Sequence, residues 1–145
     1  MSSVLKLVET GIFNSLTNIG ELIQNVGYHP TDPQLVQVYN RQTKSGARYP
    51  FVLFELVSSV NPNNTPRRSY KMMYRIQVIS DEAPTARDLY GLIVDNLDRG
   101  TMPLKQDWAV EHMLEREPYE LLQNVEGNQY YRYGGVYEIC LSKNF

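Results

Sequence analysis

The sequence predicts an α+β fold: a single domain over residues 1–145, with a mostly antiparallel, mixed β-sheet of about five strands and two helices packed on it. Three observations predict it. Near the N-terminus, Leu5, Val8, Ile12, Leu16, Ile19, Ile23 and Val26 recur every three or four positions, the mark of a helix with one buried stripe. Apolar and polar residues alternate through residues 70–79 and 108–117, as in half-buried strands. A length of 145 residues suits one core that buries about two thirds of the unfolded surface.

Taken in order, the first helix stops at Gly27. Gly11 and Gly20 each cost about 1 kcal/mol relative to alanine, which predicts a kink or a break into two helices near Gly11. Two prolines and Asp32 make residues 28–34 a loop. A short strand over 35–39 leads to a polar turn over 40–48, where Ser45 and Gly46 are turn formers. Residues 51–57 are nearly continuous in apolar side chains, the pattern of a central strand covered on both faces. Residues 61–68, with two prolines and three asparagines, specify an exposed loop.

The strand over 70–79 buries Tyr70, Met72, Tyr74, Ile76 and Val78. Pro84 is placed as in a first helical turn, and Ala86, Tyr90, Ile93, Val94 and Leu97 form the stripe of a second helix ending near Arg99 and Gly100. Further on, Trp108, Val110, His112 and Leu114 share one strand face, and Glu111, Met113, Glu115 and Glu117 the other. Residues 124–128 read as a turn containing Glu126 and Gly127. A last strand over 130–141 is interrupted at Gly134 and Gly135, the signature of a bulge or bend.

Hydrophobic content of 42% with 21% charged residues excludes a largely disordered chain. Eleven tyrosines fit both strands and half-buried interfaces. The lone Cys140 predicts folding without a disulfide, and Lys6 and Glu9 interrupt any signal-like apolar run. No stretch of about 18 apolar residues occurs, so a soluble protein made in the cytoplasm, with no membrane partner, is expected.

Catalytic signatures are weak. His29 and His112 lie far apart and no paired cysteines occur, so no metal or cofactor is expected. Cys140 and His112 make a nucleophilic pair only if their strands are neighbours. Glu115 and Glu117 on one strand face would stand about 7 Å apart, yet alternate acids are usually a solvated face. Lys44, Ser45 and Gly46 do not form a nucleotide-binding loop.

Charge is distributed unevenly. Residues 41–75 carry seven basic side chains against the single acid Glu55, a net +6, while the remainder is −8. Such a split attracts an anionic partner or copies of the chain head to tail. Non-specific nucleic-acid binding through these basic residues, with tyrosines stacking on bases, is one reading.

The ordered residues resemble a known family. An N-terminal amphipathic helix and a strand precede Tyr49-Pro50-Phe51-Val52-Leu53-Phe54; the strand Met72-Met73-Tyr74-Arg75-Ile76-Gln77-Val78 and a helix opening Pro84-Thr85-Ala86-Arg87-Asp88-Leu89 follow a polar loop. With residues 110–116, Tyr130-Tyr131-Arg132 and residues 136–141, this order resembles tailed-phage tail terminator and tail-completion proteins, the lambda-like minor tail protein U and tail-to-head joining proteins. The resemblance spans about residues 4–141 and rests on pattern and order. It implies a structural virion protein of the tail or neck and no enzyme. Such a protein forms a homo-oligomeric ring of six subunits, caps the tail tube, stops its polymerisation and offers a surface to the head or neck. Its implied partners are further copies of itself, the tail tube protein, the head–tail connector or neck protein, and genomic DNA passing through the channel. A neck or head-completion adaptor is the neighbouring alternative.

A ring needs two complementary sides. The basic loops of Arg41, Lys44 and Arg48 and of Arg67, Arg68 and Lys71 are expected to meet an acidic strand face of Asp107, Glu111, Glu115, Glu117 and Glu120 on the next subunit. Tyrosine and Met113 burial would then supply most of the affinity.

Overall fold

The computed structural model describes residues 2–60 and 69–143. The chain runs α1 (Ser2–Thr17), α2 (Gly20–Val26), β1 (Tyr28–His29), β2 (Asp32–Val36), β3 (Val38–Asn40), β4 (Phe51–Val60), β5 (Ser69–Ser80), α3 (Ala83–Leu97), β6 (Trp108–Val125) and β7 (Asn128–Lys143). The fold is α+β, as expected, with a five-stranded sheet ordered β3-β4-β5-β7-β6 and a separate β1–β2 pair. Pairing is antiparallel except between β3 and β4, which run parallel. The loop expected at 61–68, which includes Arg67 and Arg68, lies outside the described residues.

One face of the sheet carries the helices. Val4, Val8, Ile12 and Leu16, spaced four apart, join Leu22, Val26, Ala86, Leu89, Tyr90, Ile93 and Leu97 over Met72, Tyr74, Ile76, Val78, Tyr137 and Ile139. Each large aliphatic buried this way stabilises the fold by about 1.5–3 kcal/mol. Three helices stand where two were expected, because the first breaks between Thr17 and Gly20 instead of near Gly11. At the break, Thr17 Oγ1 donates back to Phe13 O at 2.9 Å and Ile19 takes extended backbone. Gly11 stays helical because its smallness serves packing: a Cβ there would stand 2.9 Å from Leu104 Cδ2 and 3.0 Å from Met102 Sδ.

The segment expected as a loop, 28–34, is instead a hairpin held by His29, which is 2% exposed. Thr31 N–H donates to His29 Nδ1 at 3.1 Å, so Nε2 carries the proton and donates to Ser45 O at 2.9 Å. The strand expected over 35–39 divides at Gln37, where the chain passes from the small sheet to the large one. Buried Gln37 fills the gap in backbone pairing: its amide donates to Val26 O and Arg48 O at 2.9 Å and accepts Arg48 N–H at 3.0 Å.

β5 is the central strand, and β4 lies next to the β3 edge instead. Residues 51–54 are buried on both sides because Phe51 and Leu53 cluster with Tyr39 and Ile79 on the face away from the helices. The β6–β7 turn, Glu126-Gly127, has φ of 53° and 83°, a type I′ hairpin turn that follows the sheet twist. β7 runs in unbroken register through Gly134 and Gly135, with no bulge. In the β6–β7 ladder the irregularities lie in β6, between Val110 and His112 and between Glu115 and Glu117; β4 has one of its own, between Leu56 and Ser58.

Candidate assembly surfaces

Those two bulges reassign the faces of β6. An extra residue in one strand turns every side chain beyond it to the other face. Glu111 and Arg116 are the extra residues, and Met113 pairs with Ile139 on the helix-covered side. Met113 is 1% exposed, a core residue and not the interface residue expected from the alternation. Glu115 also turns inward, accepting a hydrogen bond from the Tyr90 hydroxyl, while Glu117 is exposed on the opposite face. Glu115 and Glu117 therefore do not form a carboxylate pair, and of the four expected interface residues on β6 only Glu111 and Glu117 are exposed.

Gly135 makes the inward site feasible: a Cβ there would stand 2.5 Å from Tyr90 Oη and 2.9 Å from Glu115 Oε2. Tyr90 and Tyr137 hydroxyls are hydrogen-bonded at 3.0 Å, and Asp98 Oδ1 accepts the Glu115 N–H at 2.8 Å. Burial above all, then Tyr137, raises the Tyr90 pKa far above its ordinary value, so the phenol stays a donor.

Elsewhere on the domain, the expected basic residues are largely partnered within the chain. Arg41 reaches Glu9 at 3.2 Å, Lys44 reaches Asp32 at 3.5 Å, Lys71 reaches Glu138 at 3.3 Å and Arg75 reaches Glu55 at 2.9 Å. Arg48 has no ion pair among the described residues. Exposed pairs of this kind are worth about 0–1 kcal/mol, so they leave the cations open to exchange with another partner. The sheet order separates the two charged sides. Arg41, Lys44 and Arg48 lie along the β3 edge, and Glu111, Glu117 and Glu120 lie on β6 at the opposite edge, four strand spacings or about 19 Å away.

Glu138 is the hub of the uncovered face, and neither composition nor spacing singled it out. Its Oε2 accepts from His112 Nε2 at 2.7 Å and Arg116 Nη2 at 3.3 Å, while Lys71 sits on Oε1. The hydrogen bond from His112, then those from Arg116 and Lys71, outweigh burial and hold its carboxyl at about 2, below the usual 4.5. Because the folded value is depressed, this stabilisation is complete above about pH 4.5 and is lost as pH falls toward about 2. Glu138→Gln is expected to cost about 1 kcal/mol at pH 7, since its partners are half-exposed and screened. The measured stability gap to wild type should narrow between pH 4.5 and 2 in acid-dependent urea unfolding; a constant gap contradicts the assignment.

His112 and Cys140 do stand opposite each other, as the nucleophilic reading required. Burial first, then Glu138, raises the Cys140 pKa, the reverse of what an attacking thiolate needs. His112, Glu138 and Cys140 also have ligand atoms within 4.8 Å of one another, but Lys71 and Arg116 already occupy the carboxylate and would repel a cation. Near the hairpin tip, Tyr49 stacks on Phe51 and Tyr130, Arg132 lies 5.6 Å over the Tyr130 ring, and these residues line a cleft of about 340 Å³ with Ile79 and Val125. Aromatic and arginine side chains in this arrangement are typical anchors of protein interfaces.

No protein-family model matches this chain, and no curated protein matches it. Among solved structures, it is similar to a chain of the "Virion of native gene transfer agent (GTA) particle", with a TM-score of 0.71 over 98% of this chain and 99% of that chain, at 14% sequence identity. The likeness extends over the whole fold, helices and sheet together.

Proposed function

We propose that the chain is a structural protein of a phage-like virion, and within it a tail terminator or tail-to-head joining subunit that assembles as a closed ring. The observation that carries this reading is the sheet order, which sets a basic edge and an acidic edge on opposite sides of one domain. A contact between unlike sides repeats from copy to copy, and it closes into a ring when the rotation per copy divides a full turn. End-to-end likeness of fold to a virion chain supports the same assignment. The ring, of six copies in this reading, caps the tail tube, meets the head or neck on its other side and leaves a channel for DNA. No catalytic step is assigned to it.

Two measurements test the proposal. Native mass spectrometry of the purified chain is expected to give one closed ring mass, weakened by salt because rim charges steer the contact. Particles assembled without the protein are expected to carry tail tubes of uncontrolled length. Tubes of normal length left unattached to heads would instead identify a neck adaptor and refute the terminator role.

A further inference from the structure

The free edge of β6 is treated differently along its length. In its first part, Pro103 bridges to Ala109, Glu111 and Arg116 bulge, Met113 O accepts Arg99 N–H at 2.6 Å, and Asp98 Oδ1 accepts Glu115 N–H. Pro118 then presents no N–H at all. Bulges, prolines and local caps of this kind keep a sheet edge from pairing with another chain. Over residues 119–125 these devices stop. The ladder with β7 is regular there, and no backbone group on the free side has a partner among the described residues.

Apolar side chains gather on the same stretch: Leu121 is 47% exposed, Leu122 56% and Val125 52%. The opposite edge has a matching gap. β3 covers only Val52, Leu53 and Phe54 of β4, so residues 55–60 have no strand beside them on that side among the described residues. One bulge, at Val57, interrupts this stretch and leaves Ser58, Ser59 and Val60 in regular register with β5, and Val57 and Val60 are about half exposed. Five of the seven large exposed apolar side chains among the described residues lie on these two stretches.

Charge selects the pairing. Two β6 edges brought together would oppose Glu117, Glu120 and Glu126 of both copies, whereas the β3–β4 side carries Arg41 at the start of the uncovered stretch, beside Phe54, and Lys44 and Arg48 further along the β3 edge toward the beginning of β4. We propose that residues 119–125 of one copy add as a strand to residues 55–60 of the next, so that the sheet runs on from subunit to subunit. Main-chain hydrogen bonds supply the contact, the exposed aliphatics bury against each other, and the charged side chains fix direction. The inference rests on the ring reading and specifies its interface.

The test compares the full wild-type chain in its assembled and dissociated forms by hydrogen–deuterium exchange, alongside the double variant Leu121→Lys and Val125→Lys. Alternate amides within 119–125 are expected to exchange at least about tenfold more slowly in the assembly. The variant is expected to assemble about a hundredfold more weakly, with an unchanged circular dichroism spectrum, since both side chains are already half exposed. Assemblies with unprotected 119–125 amides, or a variant that assembles like wild type, overturn the edge pairing while leaving the ring reading standing. A species that stops at two copies identifies self-pairing and also overturns it. A wild-type chain that stays monomeric at every concentration overturns both.

Discussion

Gly134→Ala is expected to destabilise the protein by about 3 kcal/mol, with Gly135→Ala costing less, about 1–2 kcal/mol. The two glycines are adjacent on β7 but open space on opposite faces. A Cβ on Gly134 would stand 2.6 Å from both Ile76 O and Gln77 Cβ and 2.9 Å from Gln77 Cα, so it meets the neighbouring strand's backbone, which cannot move without opening the central ladder. The same face carries Tyr119, which pairs with Gly134 and whose hydroxyl donates to Gln77 Oε1 at 2.6 Å, one strand further on. Its ring therefore crosses β7 at the glycine, where no side chain stands in its path. On Gly135 the Cβ would meet only Tyr90 Oη and Glu115 Oε2, ends of side chains that can yield at the cost of their hydrogen bond. Urea midpoints of the two variants measure the order; Gly134→Ala milder than Gly135→Ala would refute the assignment of backbone contact to Gly134.

Met113→Ala is expected to cost about 3 kcal/mol of monomer stability. Met113 is fully buried beside Trp108, Ile139 and the helix side chains of the main cluster, so truncation leaves a cavity in the core. The loss should be the same at low and high protein concentration, because it belongs to the subunit and not to its contacts. Glu117→Ala, an exposed position on the same strand, is expected to change monomer stability by no more than about 0.5 kcal/mol. Equilibrium unfolding at two concentrations separates the cases: a Met113→Ala loss that appears only in the assembled form would return Met113 to the interface.

These two residues also mark where sequence reading stops. The alternation through 108–117 was visible, and it correctly gave a strand, but the faces were assigned as though it were regular. Bulges at Glu111 and Arg116 come from pairing with β7 and from the caps that Asp98 and Arg99 place on the edge, partners 13 or more residues away in the chain. The glycine pair was visible as an interruption; that it is a clearance for Tyr119 on one face and for Tyr90 and Glu115 on the other depends on side chains from two other elements, β6 and α3.

The charge split was a matter of counting, yet its consequence was not. Glu9, Asp32, Glu55 and Glu138 come from four separate segments to partner cations of residues 41–75, which turns much of an apparent basic patch into local pairs spread from the β3 edge to the middle of the sheet. Glu138 gave only a faint signal, an acid between Tyr137 and Ile139 on a strand otherwise apolar there. Its three hydrogen-bonding partners sit on β5 and β6, strands that flank β7 only in the folded sheet.

The sequence by itself determined the fold class, the extents of β5, α3 and β7, and the apolar stripe of the first helix, because each follows from periodicity within a dozen or so residues and from local stop signals such as Gly27 and Glu126-Gly127. Only the tertiary structure decided the strand order, the inward turn of Met113 and Glu115, and the two edge stretches, 55–60 and 119–125, whose outer sides have no strand partner among the described residues. The reason is physical: periodicity reports which side of an element avoids water, whereas register, bulges and open edges are set by which distant backbone groups find hydrogen-bond partners, and that is settled only when the strands meet.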